Sequence, residues 1–168
     1  MEARAKLLGH PIHQMLIVFP LGLLGGSIIF DIVYLVRHGG QWGAVTFWMI
    51  AVGVISGLVA ALFGVIDWLA IPGGTRAKKI GTLHGVGNVI VVVLFAVSWY
   101  LRSGNPLQPS ITAIVLSFVG VGLALVTGWL GGELVGRLGV GVDDGAHLNA
   151  PNSITHRAAG TGTGPTPA

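Results

Sequence analysis

The chain contains no cysteine, which excludes disulfides, thiolate metal sites and cysteine-held iron–sulfur clusters. Charge is scarce as well. Only 9% of the 168 residues are Asp, Glu, Lys or Arg, against about 25% in an ordinary soluble domain, so there is too little polar surface to cover a water-soluble fold. No phosphate-binding loop, zincin motif or activated serine is present, and nothing marks a catalytic centre. A formal charge of +3 and a pI near 9.8 come from a few basic loop residues, and no nucleic-acid-binding motif accompanies them.

What is abundant is apolar. Hydrophobic residues make up 52% of the chain and the mean hydropathy is +0.81. Four runs, at about 15–36, 44–66, 80–101 and 111–130, each reach the ~20 residues that a helix needs to cross a bilayer. The first is too long for a signal-peptide core and lacks a small-residue cleavage site after it, so it reads as a span. The expected fold is an all-α, four-span, up-down bundle over 1–142, followed by a polar, Gly/Pro/Thr-rich tail at 143–168 whose composition predicts disorder.

Pro20 interrupts the first span and predicts a kink, because it removes one backbone donor. Ser110 is placed to cap the fourth span, and tryptophans such as Trp42, Trp48 and Trp99 read as interface anchors. Each span carries a Gly-x-x-x-Gly pair, Gly22/Gly26, Gly53/Gly57, Gly81/Gly85 and Gly128/Gly132, which predicts close helix approach. A faint repeat is visible too. The odd spans begin near a histidine, and the even spans end in Asp67-Trp68-Leu69 and Gly128-Trp129-Leu130.

Basic residues predict orientation. Arg4, Lys6, Arg76, Lys78, Lys79, Arg137 and Arg157 fall on one side, and only Arg37 and Arg102 on the other, which places both termini in the cytoplasm of a bacterial inner membrane.

The chemistry-bearing residues then gather at the cytoplasmic end. Pro11 suits a first helical position, with His10 at the cap and His13 in the first turn, so the two histidines share a face. The positive helix end there disfavours imidazolium, and neutral imidazole ligates metals well. His84 opens the third span with Asn88 one turn deeper, Asp67 and Glu133 end the second and fourth spans, and Arg76 lies in the loop above. His10, His13, His84, Asp67 and Glu133 are therefore candidate ligands for one transition-metal ion. Alternatively His13 and His84, with His10 third, hold a haem b, while Asn88 and Arg76 support the site. Two further readings use the same residues: a proton-coupled transporter in which they titrate, and a scaffold or assembly subunit in which they lock helices. Asp31 is expected near the opposite surface, about 27 Å from His13 along the helix. His38, His147 and His156 read as solvated.

The motifs Gly9-His10-Pro11-Ile12-His13, Phe19-Pro20, Phe30-Asp31, Asp67-Trp68, Ile71-Pro72 with Gly74-Thr75, Gly81 with His84 and Asn88, and Gly131-Gly132-Glu133-Leu134-Val135 together resemble a bacterial integral membrane family catalogued as domain of unknown function 2231, over roughly 8–142. The resemblance implies a four-span protein. Related domains are joined to Rieske-type or cytochrome b5-like modules, which implies electron transfer with a redox partner protein; homo-oligomers are also compatible. The chain departs from the pattern at Gln14, where proline is frequent, and at Gly136 and Leu138, where a tyrosine and a histidine are frequent. A site using that last histidine is not available here.

Overall fold

The computed structural model describes residues 1–154. After a two-stranded antiparallel turn, β1 (Lys6–Leu7) and β2 (His10–Pro11), come α1 (Ile12–Leu16), α2 (Val18–Arg37), α3 (Gly40–Ala70), α4 (Arg76–Arg102) and α5 (Ile111–Gly136). Four helical stretches, Ile12–Arg37, Gly40–Ala70, Arg76–Arg102 and Ile111–Gly136, are long and apolar enough to cross a membrane. This is the expected all-helical architecture, with helices longer than the apolar runs because their polar ends continue past the hydrocarbon.

Pro20 breaks the first span in the expected way. Having no N–H, it cannot bond the carbonyl of Leu16, and the helix is interrupted at Ile17, which divides α1 from α2. At the other helix starts, Thr75 and Ser110 cap α4 and α5 by accepting from the N–H of Lys78 and Ala113, at 3.1 and 3.3 Å. The start of α1 differs from expectation. Pro11 is its N-cap and His10 lies in β2, so His10 and His13 do not share a helical face.

The packing follows a two-fold plan. Helices α2 and α3 form one hairpin, α4 and α5 the other, and the two hairpins pack side by side. A methyl group built on Gly53 would meet Leu24 Cδ2 at 2.5 Å, and one on Gly120 would meet Phe95 Cε2 at 2.8 Å. Near one end, His13 Nδ1 bonds the Ala60 carbonyl and packs over Gly64, while His84 Nδ1 bonds the Thr127 carbonyl and packs over Gly131. The spacing is the same in both hairpins. Seventy-one residues separate His13 from His84, Leu24 from Phe95, Ser27 from Ser98 and Asp31 from Arg102; sixty-seven separate Gly53 from Gly120, Ala60 from Thr127 and Gly64 from Gly131. Helices α2 and α4 run the same way, as do α3 and α5, so the pseudo-two-fold axis lies along the bundle. This register corrects the sequence reading of the repeat, in which Trp68 matched Trp129.

Leu24, Ile50, Val54, Val91 and Phe95 fill the middle of the bundle, with Trp99 among the side chains packed against them. Trp99 thus turns inward onto Phe47, at 5.9 Å between rings, rather than anchoring at the interface. Of the eight expected close-approach glycines, Gly26, Gly53, Gly57 and Gly81 do face neighbouring side chains, whereas Gly22, Gly85, Gly128 and Gly132 face open space.

Candidate functional site

Both chain ends described lie at one end of the bundle, where the N-terminal ammonium reaches Asp144 at 3.3 Å. Asp67, at the end of α3, accepts the backbone N–H groups of Arg4 (2.7 Å) and Ala5 (3.0 Å). This carboxylate holds the N-terminal segment down across the helix ends. Lys6 pairs with Glu2 and with Asp143. Glu2 holds the Lys6 ammonium above its ordinary range, and the Gly145 N–H beside Asp143 holds that carboxyl below its own. The beginning of the tail expected at 143–168 therefore makes turns against the N-terminal segment as far as Ile154. His156 and Arg157 lie outside the described residues.

Two of the sequence-predicted ligands meet. His13 of α1 and His84 of α4 are 6.5 Å apart between ring centroids, with planes at 89°. They occupy equivalent positions across the pseudo-two-fold axis, so the axis passes between them. In each ring Nδ1 lies 2.9 Å from a main-chain carbonyl, of Ala60 for His13 and of Thr127 for His84. A carbonyl only accepts, so both Nδ1 atoms carry a proton, and in the neutral ring the lone pair is then on Nε2. The glycines beneath the rings are required by this seat. A methyl group at Gly64 would come within 2.9 Å of His13 Cε1, and one at Gly131 within 3.1 Å of His84 Cε1.

Asn88 is one turn beyond His84 on the same face, as its spacing predicts. Its Nδ2 donates to the His84 carbonyl at 2.9 Å and to His84 Nε2 at 3.2 Å, and its Oδ1 accepts from Thr127 Oγ1 at 3.0 Å.

The other candidates share this end of the bundle without joining the pair. Glu133 takes Arg76 at 2.5 Å. Asp67 is committed to the N-terminal backbone. His10 is exposed, with Nε2 3.2 Å from Ser153 Oγ. Among the described residues there is no group of three or more His, Asp or Glu side chains able to hold a metal ion. The five-residue ligand set is not assembled; two imidazoles are.

The opposite end of the axis carries what sequence reasoning missed. Arg102 and Asp31 form a bidentate ion pair, Nη1 to Oδ1 at 2.8 Å and Nη2 to Oδ2 at 2.7 Å, with both side chains 0% exposed. Arg102 Nε and Nη2 also donate to Ser98 Oγ and Ser117 Oγ, each at 3.2 Å. Arg102 is thus a buried partner and not one of the loop charges that report orientation. The signal was available: a serine one turn before the arginine, and Asp31 as far from His13 as Arg102 is from His84.

The family model described as a predicted membrane protein, DUF2231, matches residues 9–144. No curated protein and no solved structure matches the chain.

Proposed function

Because the chain belongs to the membrane-protein family of domain of unknown function 2231, its chemistry is to be sought inside the bundle, and we propose that His13 and His84 are the two protein ligands of one haem b in a bacterial inner-membrane electron-transfer component. The observation that carries this reading is the donor set. Two imidazoles lie on either side of an axis at 6.5 Å between centroids, each with Nδ1 pinned to a main-chain carbonyl and with Asn88 Nδ2 resting on His84 Nε2. With metal–nitrogen bonds of about 2 Å, a separation of 6.5 Å between ring centroids is of the size that two imidazoles on one metal atom require. A bare ion would need further protein ligands, usually making four. A haem iron needs only two axial ones, so the two-imidazole set favours haem b over the lone transition-metal ion.

His13 and His84 would hold the iron, which when bound supplies one-electron exchange. Arg76 and Glu133 neutralise each other at the same end and leave the site without net charge from that pair. The excess of basic residues on that end supports a cytoplasmic location and a soluble or membrane-bound redox partner there.

The test is optical. Haem-replete expression and purification in mild detergent should give a Soret band, lost in His13→Ala/His84→Ala while the protein stays monodisperse. A colourless wild-type protein refutes the haem reading.

A second reading, a scaffold or assembly subunit, has its own support. His13–Ala60, His84–Thr127 and Asn88–Thr127 each tie one helix to another, and Arg102–Asp31 ties α4 to α2. It expects His84→Ala to lower thermal stability with no pigment at any stage. The proton-coupled transporter is less well supported: the apolar cluster of Leu24, Ile50, Val54, Val91 and Phe95 stands between the histidines and Asp31.

A further inference from the structure

At the end of the bundle that holds both described chain ends, charge is sorted by hairpin. Around the N-terminal segment four carboxylates, Glu2, Asp67, Asp143 and Asp144, stand with three cations, the terminal ammonium, Arg4 and Lys6. The second hairpin offers one carboxylate, Glu133, and Arg76 takes it. Lys78 turns away, to the Trp68 carbonyl at 2.7 Å and over the Trp68 ring. Lys79 and Arg137 are exposed. All six Asp and Glu side chains are among the described residues, and none of them pairs with either. Two uncompensated cations therefore stand on the rim of α4 and α5.

Beneath them both helices are apolar and exposed. On α4, Leu83 lies four residues beyond Lys79 and seven beyond Arg76, with Val86 one turn further, so all four share a face. On α5, Trp129 and Val126 lie four and seven residues before Glu133, and Arg137 four after it, which again makes one face. Leu83, Val86, Val126 and Trp129 are exposed, and the Arg76–Glu133 bridge joins the heads of the two faces. An apolar strip crowned by unpaired cations complements a phospholipid, whose acyl chains run along the helices and whose headgroup sits at their ends. The exposed Trp129 indole suits the boundary between the two. The first hairpin supplies a contrast. In its register Ala5, Leu8 and Ala70 stand where Arg76, Lys79 and Arg137 do, beside the equally exposed Met15 and Leu62. The apolar faces are duplicated; the cations are not.

We propose that the rim of α4 and α5 is a headgroup site for an anionic phospholipid of the surrounding leaflet, whose acyl chains lie on Leu83, Val86, Val126 and Trp129. Lys79 and Arg137 bind phosphate oxygens. Arg76 gives only Nη2 to Glu133, which holds the guanidinium in place beside them with donors to spare. Two surplus charges match a headgroup with two phosphates, so cardiolipin is the preferred lipid. The site is independent of the histidine pair.

The purified full-length protein, delipidated in mild detergent, is titrated with cardiolipin, phosphatidylglycerol or phosphatidylcholine, and the singly lipidated fraction is read by native mass spectrometry. Wild type should bind cardiolipin most tightly, then phosphatidylglycerol, then phosphatidylcholine. A basic residue beside an anionic lipid surface is worth about fivefold in binding. Lys79→Gln and Arg137→Gln should therefore each weaken cardiolipin about fivefold and together about twenty-five-fold, with phosphatidylcholine unchanged. Trp129→Ala should weaken all three lipids alike. Both charge positions are exposed, so these variants should unfold at the wild-type temperature. Lys6→Gln removes a cation at the same end that already has acidic partners, and should leave the lipid preference as it is. The proposal fails if wild type does not prefer the anionic lipids, or if Lys6→Gln weakens cardiolipin as much as Lys79→Gln does. Equal affinity for cardiolipin and phosphatidylglycerol overturns the two-phosphate match. Polyglutamate binding lost in Lys79→Gln/Arg137→Gln, with no lipid preference in wild type, overturns the lipid site in favour of an acidic protein partner.

Discussion

Removing one partner of the Asp31–Arg102 pair should be among the costliest changes in the bundle, and the two sides of the pair should differ in what they cost. Both side chains are fully enclosed, and the guanidinium spends its donors on Asp31, Ser98 and Ser117. Breaking such a pair from one side typically costs about 3–5 kcal/mol, because a charge is left buried without its counterion. The two sides differ in how that charge can be relieved. A guanidinium stays protonated under all working conditions, so Asp31→Leu strands a permanent cation and should show the full loss. In Arg102→Leu the remaining carboxyl can take up a proton and become neutral, so its loss should be smaller and should shrink further as pH falls. The double variant Asp31→Leu/Arg102→Leu removes both charges, and replacing a whole buried pair by apolar groups is often neutral. Thermal unfolding in detergent, with monodispersity read by size exclusion, measures all three. At roughly 2–4 °C per kcal/mol for a chain of this size, Asp31→Leu should lower the midpoint by roughly 10 °C and the double variant should recover most of it. The reasoning fails if the double variant is as unstable as Asp31→Leu, or if the two single variants are equally unstable at every pH.

The glycine seats give a paired expectation. Gly64→Ala forces the His13 ring off the Ala60 carbonyl, since the contact would be 2.9 Å, and should cost about 1–3 kcal/mol as an overpacking change. Gly131→Ala meets His84 at 3.1 Å, a few tenths of an ångström of give, and its helix-propensity gain of up to about 1 kcal/mol should leave it near neutral; equal losses in the two variants would contradict this reading of the seats. Phe95→Ala opens a cavity at a 0% exposed position and should cost about 3–5 kcal/mol in the same unfolding assay. The contact between the N-terminal segment and the turns after Val142 should depend on pH in a defined sense. Asp143 sits below its ordinary range, so its contribution is present above the ordinary aspartate range and lost only as pH falls through the lowered value; Lys6 sits above its range, so its contribution is lost only as pH rises past the raised value. Amide exchange at Gly145 should accelerate at the acid extreme and stay protected between those limits.

Composition and periodicity fixed much of this protein without coordinates. Four apolar stretches with hardly a charge have no way to satisfy their backbone groups in lipid except as helices, and short loops between them leave little but an antiparallel bundle. Pro20, Ser110 and the His84–Asn88 spacing act within one or two turns, so their consequences could be read along the chain. Depth along a helix was also legible, which is why His13 and His84 were placed at one level.

Rotation about each helix was not. A residue's depth follows from counting at a fixed rise, but the side it faces depends on which neighbours pack there, and four helices that are apolar all round leave that choice to small shape differences. Tertiary packing therefore decided that Asp67 turns to the N-terminal backbone, that Glu133 takes Arg76, and that His10 stays outside with Ser153. It alone put Arg102 inside against Asp31. An arginine at a helix end can extend to water or turn inward, and the inward state is stable here because a carboxylate and two serines from three other turns of the bundle meet all of it at once.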